Sequence, residues 1–235
     1  MNSDQIDLYL GGDLGIWCLS QVSVDAVNLV ITVDVDIANT ARDYGFKTIL
    51  GDANTAVFAP SAVGFSVHYP RILKPELICK YRKVYNLHPG YLPWGRGYYP
   101  VFWALWEGTP AGATVHEISR GLDEGPIVAQ VRVEYDTHDT FGSLWERVRD
   151  VERVLFVDHW QRLVHGEHVP SFPQPEGGTY HRRSEFMELK ERADYATMTG
   201  EELIRLIHCS TFPGYTGLEV TLGTKRFHLK LEHLE

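Results

Sequence analysis

This 235-residue chain is poor in cysteine, in positive charge and in long apolar runs, and each shortage excludes something. Its three cysteines, Cys18, Cys79 and Cys209, are widely spaced and form no C-x-x-C pair. Neither a disulfide framework nor a zinc site is expected from them, and reduced thiols in a cytoplasmic setting are the plain reading. No apolar run is long enough to cross a bilayer. The opening residues, Met1-Asn2-Ser3-Asp4-Gln5, lack the basic and apolar regions of a signal peptide. Twenty-two Lys+Arg against 31 Asp+Glu leave a net charge of −9, whereas nucleic acid is held largely by neutralising phosphates. No membrane and no nucleic-acid partner are therefore expected. The eleven histidines invite a metal, but His165 and His168 have no third ligand nearby and His116 alternates within a strand, so none is expected. Repeats and low-complexity tracts are missing as well.

What is present is ordinary globular material: 44% hydrophobic and 23% charged residues, enough to build a core without staples. Ile6–Leu10 is a short apolar run ending in Gly11-Gly12, followed by a helical segment around Leu14–Val22. Val27–Val33 is rich in β-branched residues and reads as a buried strand. Asp36 is expected to cap a helix through Tyr44 that Gly45 stops. Phe46–Leu50, Ala62–Val67 and Val84–Leu87 read as strands, with a helix from Pro75 to Arg82. Tyr98–Glu107 reads as a helix, Ala113–Ile118 and Ile127–Tyr135 as strands, and Thr140–His165 as a long helix. Strands alternating with helices predict an α/β, Rossmann-like, mostly parallel sheet whose ligands sit beyond the carboxyl ends of the strands. The prolines and glycines of residues 170–181 read as a linker. After it, a helix capped by Thr199 with Glu202 and a hairpin turning at Gly223-Thr224 are expected. The expected division is a catalytic domain over residues 1–169, the linker, and a C-terminal helix and β-hairpin over 182–235.

The chemistry concentrates at the end of the strand at Val84–Leu87. Asn86 and His88 lie two apart and so leave the strand on one face, and Pro89-Gly90 ends the ladder at once. Downstream, the loop Gly121-Leu122-Asp123-Glu124-Gly125-Pro126 brings in a carboxylate. If Ala113–Ile118 neighbours Val84–Leu87, Asp123 reaches His88. An amide, an imidazole and a carboxylate at one spot suit acyl transfer to an amine. The amide N–H stabilises the oxyanion, the imidazole accepts a proton near neutral pH, and the carboxylate orients it. Asp34, Asp36, Glu201 and Glu202 read instead as charges at helix starts.

The pattern Asn86-x-His88-Pro89 with Leu92-Pro93 and Arg96-Gly97, followed by Asp123-x-Gly125-Pro126-Ile127 with Gln130, resembles the formyltransferase family over roughly residues 60–135. That resemblance implies formyl transfer from N10-formyltetrahydrofolate to an amine, with Asn86, His88 and Asp123 in the family's catalytic positions. It also implies that a strand end like His68-Tyr69-Pro70-Arg71-Ile72-Leu73 borders the folate, so that His68, Tyr69, Arg71, Ile72 and Leu73, together with Asp123, are expected at the cofactor. By sequence alone, His68 reads more readily as a core or supporting residue than as a direct ligand contact.

Among the branches of that family, Asp13 in the first glycine turn would repel the phosphate of a glycinamide ribonucleotide. The chain after the linker is short, and the net charge negative, for a methionyl-tRNA enzyme. Arg96-Gly97-Tyr98-Tyr99-Pro100 and the segment Thr211–Gly217 are similar to sugar-nucleotide N-formyltransferases. This resemblance implies a nucleotide-linked amino-dideoxy sugar as substrate, dTDP-linked first, and a homodimer using the C-terminal hairpin. Trp94, Arg96, Gly97, Tyr98 and Tyr99 are then expected at the sugar nucleotide. Phe212 and Tyr215 either stack on its base or anchor the hairpin. Another amine acceptor, or an inactive folate- or nucleotide-binding module, are the rival readings.

Overall fold

A computed structural model describes residues 5–192, 197–212 and 218–231. These divide into two compact units. The first takes in residues up to His88 with Ala113–Gln130 and Glu152–Gln174; the second takes in Pro89–Gly112, Val131–Val151 and the chain from Pro175 on.

The first unit is built on a seven-stranded sheet. In chain order its strands are β1 (Ile6–Leu10), β2 (Val27–Thr32), β3 (Thr48–Leu50), β4 (Val63–Val67), β5 (Lys83–His88), and, after a two-residue β6 (Arg96–Gly97) outside this sheet, β7 (Ala111–Glu117) and β8 (Ile127–Val133). Their spatial order is β3-β2-β1-β4-β5-β7-β8. The pairs from β3 to β5 run parallel, while β7 lies antiparallel to β5. Strand order therefore reverses between β1 and β4, the switch point at which α/β sheets open a crevice. The β1 side chains are buried throughout, as parallel strands covered on both faces require.

Helices α1 (Gly12–Leu19), α2 (Val35–Asp43) and α3 (Pro75–Ile78) connect these strands. The cap of α2 is Asp34, whose carboxylate accepts from the N–H groups of Asp36 and Ile37. The expectation of Asp36 as the cap is corrected by two residues: the helix already begins at Val35, so Asp36 lies inside it and supplies a donor. Helix α3 ends four residues short of Arg82. Lys80 and Tyr81 donate to Leu77 and Ile78 three residues back, which tightens the turn and sends Tyr81 inward to Asp7.

In the second unit, α4 (Pro100–Glu107) starts two residues later than expected, because Tyr99 sits in the left-handed region at φ 57. The helix α5 (Phe141–Val164) begins in this unit. Residues 170–181 contain, against expectation, a two-residue strand, β9 (Tyr180–His181), parallel to β6. That pairing needs Gly97, where a Cβ would lie 2.2 Å from the His181 carbonyl. The His181 ring stacks on Trp103 at 3.8 Å. A helix not foreseen, α6 (Arg183–Arg192), follows; its sequence is strongly polar and carries little apolar periodicity. Helix α7 (Gly200–Cys209) starts on the expected reciprocal cap of Thr199 and Glu202. The hairpin β10 (Leu218–Leu222) and β11 (Lys225–Leu229) turns at Gly223-Thr224, as its spacing predicts.

Candidate active site

Strand β5 ends at His88, and its pairing with β7 sets Asn86 opposite His116 and His88 opposite Thr114. Residues directly opposite in an antiparallel pair share a face. Asn86, His88 and His116 are therefore gathered by register alone. The Asn86 amide Nδ2 lies 3.2 Å from His116 Nε2, and the rings of His88 and His116 meet edge to face with centroids 6.1 Å apart.

His116 is held in one tautomer. Its Nδ1 lies 2.9 Å from the Glu117 carbonyl oxygen, which can only accept, so Nδ1 carries the hydrogen. In the neutral ring Nε2 is then an acceptor, and Asn86 donates one N–H to it. The amide of Asn86 is thereby oriented, with a second N–H left to serve another oxygen.

Asp123 enters from the loop between β7 and β8. One carboxylate oxygen is 3.7 Å from His88 Nδ1 and the other 3.5 Å from His116 Nε2. His88 is nearly buried, and the Asp123 side chain is only 10% exposed. Both distances are longer than a tight charge-assisted hydrogen bond, and the carboxylate lies between the two imidazoles.

The loop presenting Asp123 is closely determined. Asp123 itself is left-handed at φ 55, a conformation that costs a non-glycine residue about 1–3 kcal/mol and persists where its surroundings fix it. Glu117 N–H donates to the Pro126 carbonyl at 2.9 Å and Ile118 N–H to that of Val84 at 2.7 Å. A Cβ at Gly125 would stand 1.7 Å from the Glu117 carbonyl oxygen, so only glycine lets the loop pass the same carbonyl that fixes the His116 tautomer. The Glu117 carboxylate in turn takes Lys83 and the hydroxyl of Ser171.

The structure thus brings together Asn86, His88 and Asp123, as the sequence predicts, and adds His116. The sequence carried one signal for it, a histidine at strand spacing shortly before the Asp123 loop. That signal acquires meaning only once β7 is known to run antiparallel to β5.

The expected cofactor segment follows β4, beside β5 in the sheet, and so leaves the same carboxyl edge. Its side chains divide. His68, at φ 51, puts Nε2 2.7 Å from a carboxylate oxygen of the fully buried Glu152. The Tyr69 hydroxyl accepts from Ala53 N–H at 2.9 Å, and burial pushes its pKa up. Leu73 packs in the same core cluster as Tyr69 and Tyr9. Arg71 and Ile72 face outward, Ile72 with 63% of its surface exposed.

The residues expected at the sugar nucleotide belong to the second unit. Trp94 is half-buried, Arg96 and Gly97 form β6, and Tyr98 and Tyr99 are exposed. The Tyr99 ring packs 4.4 Å from Phe186 of α6, and Phe212 lies 5.5 Å from Phe141. Tyr215 lies outside the described residues.

Residues 52–159, which include all four site residues, match the model of the formyl transferase family. Over 92 residues the chain is 37% identical to a dTDP-4-amino-4,6-dideoxyglucose formyltransferase from Mycobacterium tuberculosis. That match spans 39% of this chain and 39% of the relative, so the chain covers about two fifths of the length of that curated protein. A 4-N formyltransferase from Francisella tularensis superposes with a TM-score of 0.84 at 19% identity, covering 100% of both chains. An N-formyltransferase from Helicobacter canadensis, solved with folinic acid and dTDP-3-aminofucose, gives a TM-score of 0.74 at 20% identity over 95% of this chain and 85% of that one. Residues 52–159 therefore match the formyl transferase family, and the chain carries the fold that these solved N-formyltransferases share.

Proposed function

We propose that the protein transfers the formyl group of N10-formyltetrahydrofolate to the amino group of a nucleotide-linked amino-dideoxy sugar, dTDP-linked in the first instance. The observation that carries the reading is the convergence of Asn86, His88, His116 and Asp123 at the carboxyl end of a sheet strand. The set contains a proton acceptor, an oriented donor for a developing oxyanion, and a carboxylate, with no thiol or hydroxyl among its members. It fits direct attack by an amine on an activated formyl carbon, which the folate supplies when bound. The outward-facing Arg71 and Ile72, leaving the sheet beside β5, are suited to border a ligand there.

Each residue has a distinct task in this reading. As the amine nitrogen bonds to the formyl carbon, His88 takes the proton the nitrogen must lose. Asn86 donates its second N–H to the carbonyl oxygen as that oxygen gains charge, an interaction whose removal typically costs about 10²–10³ in rate. Asp123 balances the imidazolium so formed, and the proton leaves with the folate nitrogen when its bond to carbon breaks. His116 keeps the Asn86 amide aimed. The acceptor's identity rests on the named relatives and on the exposed Tyr98 beside β6. Residues 1–169 as the catalytic domain, a cytoplasmic setting, and a homodimer through β10 and β11 belong to the same proposal; the side chains of β11 are largely exposed.

The test is to incubate the protein with N10-formyltetrahydrofolate and a panel of dTDP- and UDP-linked amino sugars and to seek formamide products by mass spectrometry. A formylated dTDP-amino sugar is expected. Turnover confined to other amines would overturn the acceptor, and formylation of none of the panel would overturn the reading.

A further inference from the structure

Gln174 lies in the proline-rich segment that follows α5, outside the 52–159 stretch and outside every motif described above. Its amide nitrogen nevertheless lies 2.7 Å from the Asp123 carbonyl oxygen and 2.8 Å from that of Gly125. The two hydrogens of one NH2 group suit two carbonyl acceptors, so a single side chain ties together the peptides that follow Asp123 and Gly125. Neighbouring residues run along the same course. Phe172 exchanges backbone hydrogen bonds with Ile127 at 2.7 and 2.8 Å, and Ser171 donates to the Glu117 carboxylate. Residues 171–174 therefore touch the loop at its β7 root, at its β8 root and between the two.

We propose that residues 171–174 are a strap that sets the catalytic loop, with Gln174 a positioning residue for the Asp123 carboxylate. The need for one is visible in the loop. Asp123 is held left-handed, and its carboxylate stands 3.5 and 3.7 Å from two imidazoles, so the course of its backbone sets its distance to both. Hydrogen bonds to the Asp123 and Gly125 carbonyls fix the peptide planes that follow those two residues, so the backbone carrying the carboxylate is immobilised. The catalytic part of this inference rests on the function proposed above; the structural part does not.

Two substitutions test it. Gln174→Leu removes both donors and keeps similar bulk, and Gln174→Glu keeps the shape while presenting oxygen to both carbonyls. In each, hydrogen exchange at the amides of residues 121–125, measured on the intact protein without ligand, is expected to quicken at least about tenfold while β1, β4 and β5 keep their protection. With an accepted amine, kcat is expected to fall by about 10- to 100-fold, the scale of a misplacement near 1 Å, with KM for the folate changed less than about threefold. Unchanged exchange over 121–125 would overturn the strap whether or not the protein is a formyltransferase. Quickened exchange with kcat unaltered would overturn the positioning role. A wild-type protein that formylates no amine would sink the functional reading alone, leaving the exchange result to judge the strap.

Discussion

The first unit contains two carboxylates of very different fate. Asp7, on β1, is fully buried and hydrogen-bonded at both oxygens. Its oxygens accept from Asn28 Nδ2 at 2.7 Å, Ser61 N–H at 2.9 Å and the Tyr81 hydroxyl at 2.8 Å, and Tyr81 lies within hydrogen-bond distance of Tyr9 in turn. Desolvation pushes both tyrosine hydroxyls well above their usual pKa, so neither ionises near neutral pH. Asp123, in a loop at the carboxyl edge, meets its imidazoles at 3.5 and 3.7 Å. The residue types are alike; what differs is the company each keeps. An acid buried among hydroxyl and amide donors holds the fold, whereas one set between two imidazoles at the edge of the sheet can serve a reaction.

The comparison is broken or sharpened by substitution. The largest effect is expected from His88→Asn and Asp123→Asn, each lowering turnover by about 10²–10⁴-fold with the thermal midpoint little moved; near-full activity in both would erase the distinction from the chemical side. Asp7→Ala should do the reverse. It strands several buried donors, each worth about 1–3 kcal/mol, so chemical denaturation should show a loss of about 3 kcal/mol or more while the specific activity of the remaining folded protein is kept.

His116→Phe deprives Asn86 of its acceptor and should lower kcat by about tenfold, less than outright loss of an oxyanion donor. His116→Gln, which retains an acceptor, should recover part of it. An equal loss in both would mean that His116 does not act through the Asn86 amide.

The smallest effect concerns His159, on α5, where burial holds the imidazole pKa below its usual value. Its Nδ1 donates to the Leu155 carbonyl, and its buried Nε2 has no hydrogen-bond partner among the described residues. Below about pH 6.5 the unfolded chain gains this proton before the native state does. The stability contributed by the neutral ring is therefore complete above that pH and is lost as pH falls toward the depressed native value. His159→Gln should flatten this part of the stability profile; an unchanged slope would assign it to other groups.

The site was legible in parts. Asn86 and His88 share a face because strand side chains alternate, and the glycines around Asp123 announce a close turn, so both halves could be read from spacing. The long α5, the Thr199 cap and the hairpin turn were legible for the same kind of local reason. His116 was not, since its side chain joins the site through an antiparallel register that no local pattern states. Helix α6 was missed because its ten residues carry too little apolar periodicity. Gln174 was hidden most completely, as a polar residue among prolines whose two partners lie about fifty positions earlier in the chain.

The sequence by itself determined the alternation of strands and helices, the ends of most of them, and the three polar residues on which the proposed chemistry turns, because each of these depends on spacing within a few residues. Only the tertiary structure decided which strand lies beside which, hence that β7 runs back along β5, that His116 faces Asn86, and that residues 171–174 brace the loop of Asp123. Those are contacts across long stretches of chain, and they are chosen by how the whole sheet packs.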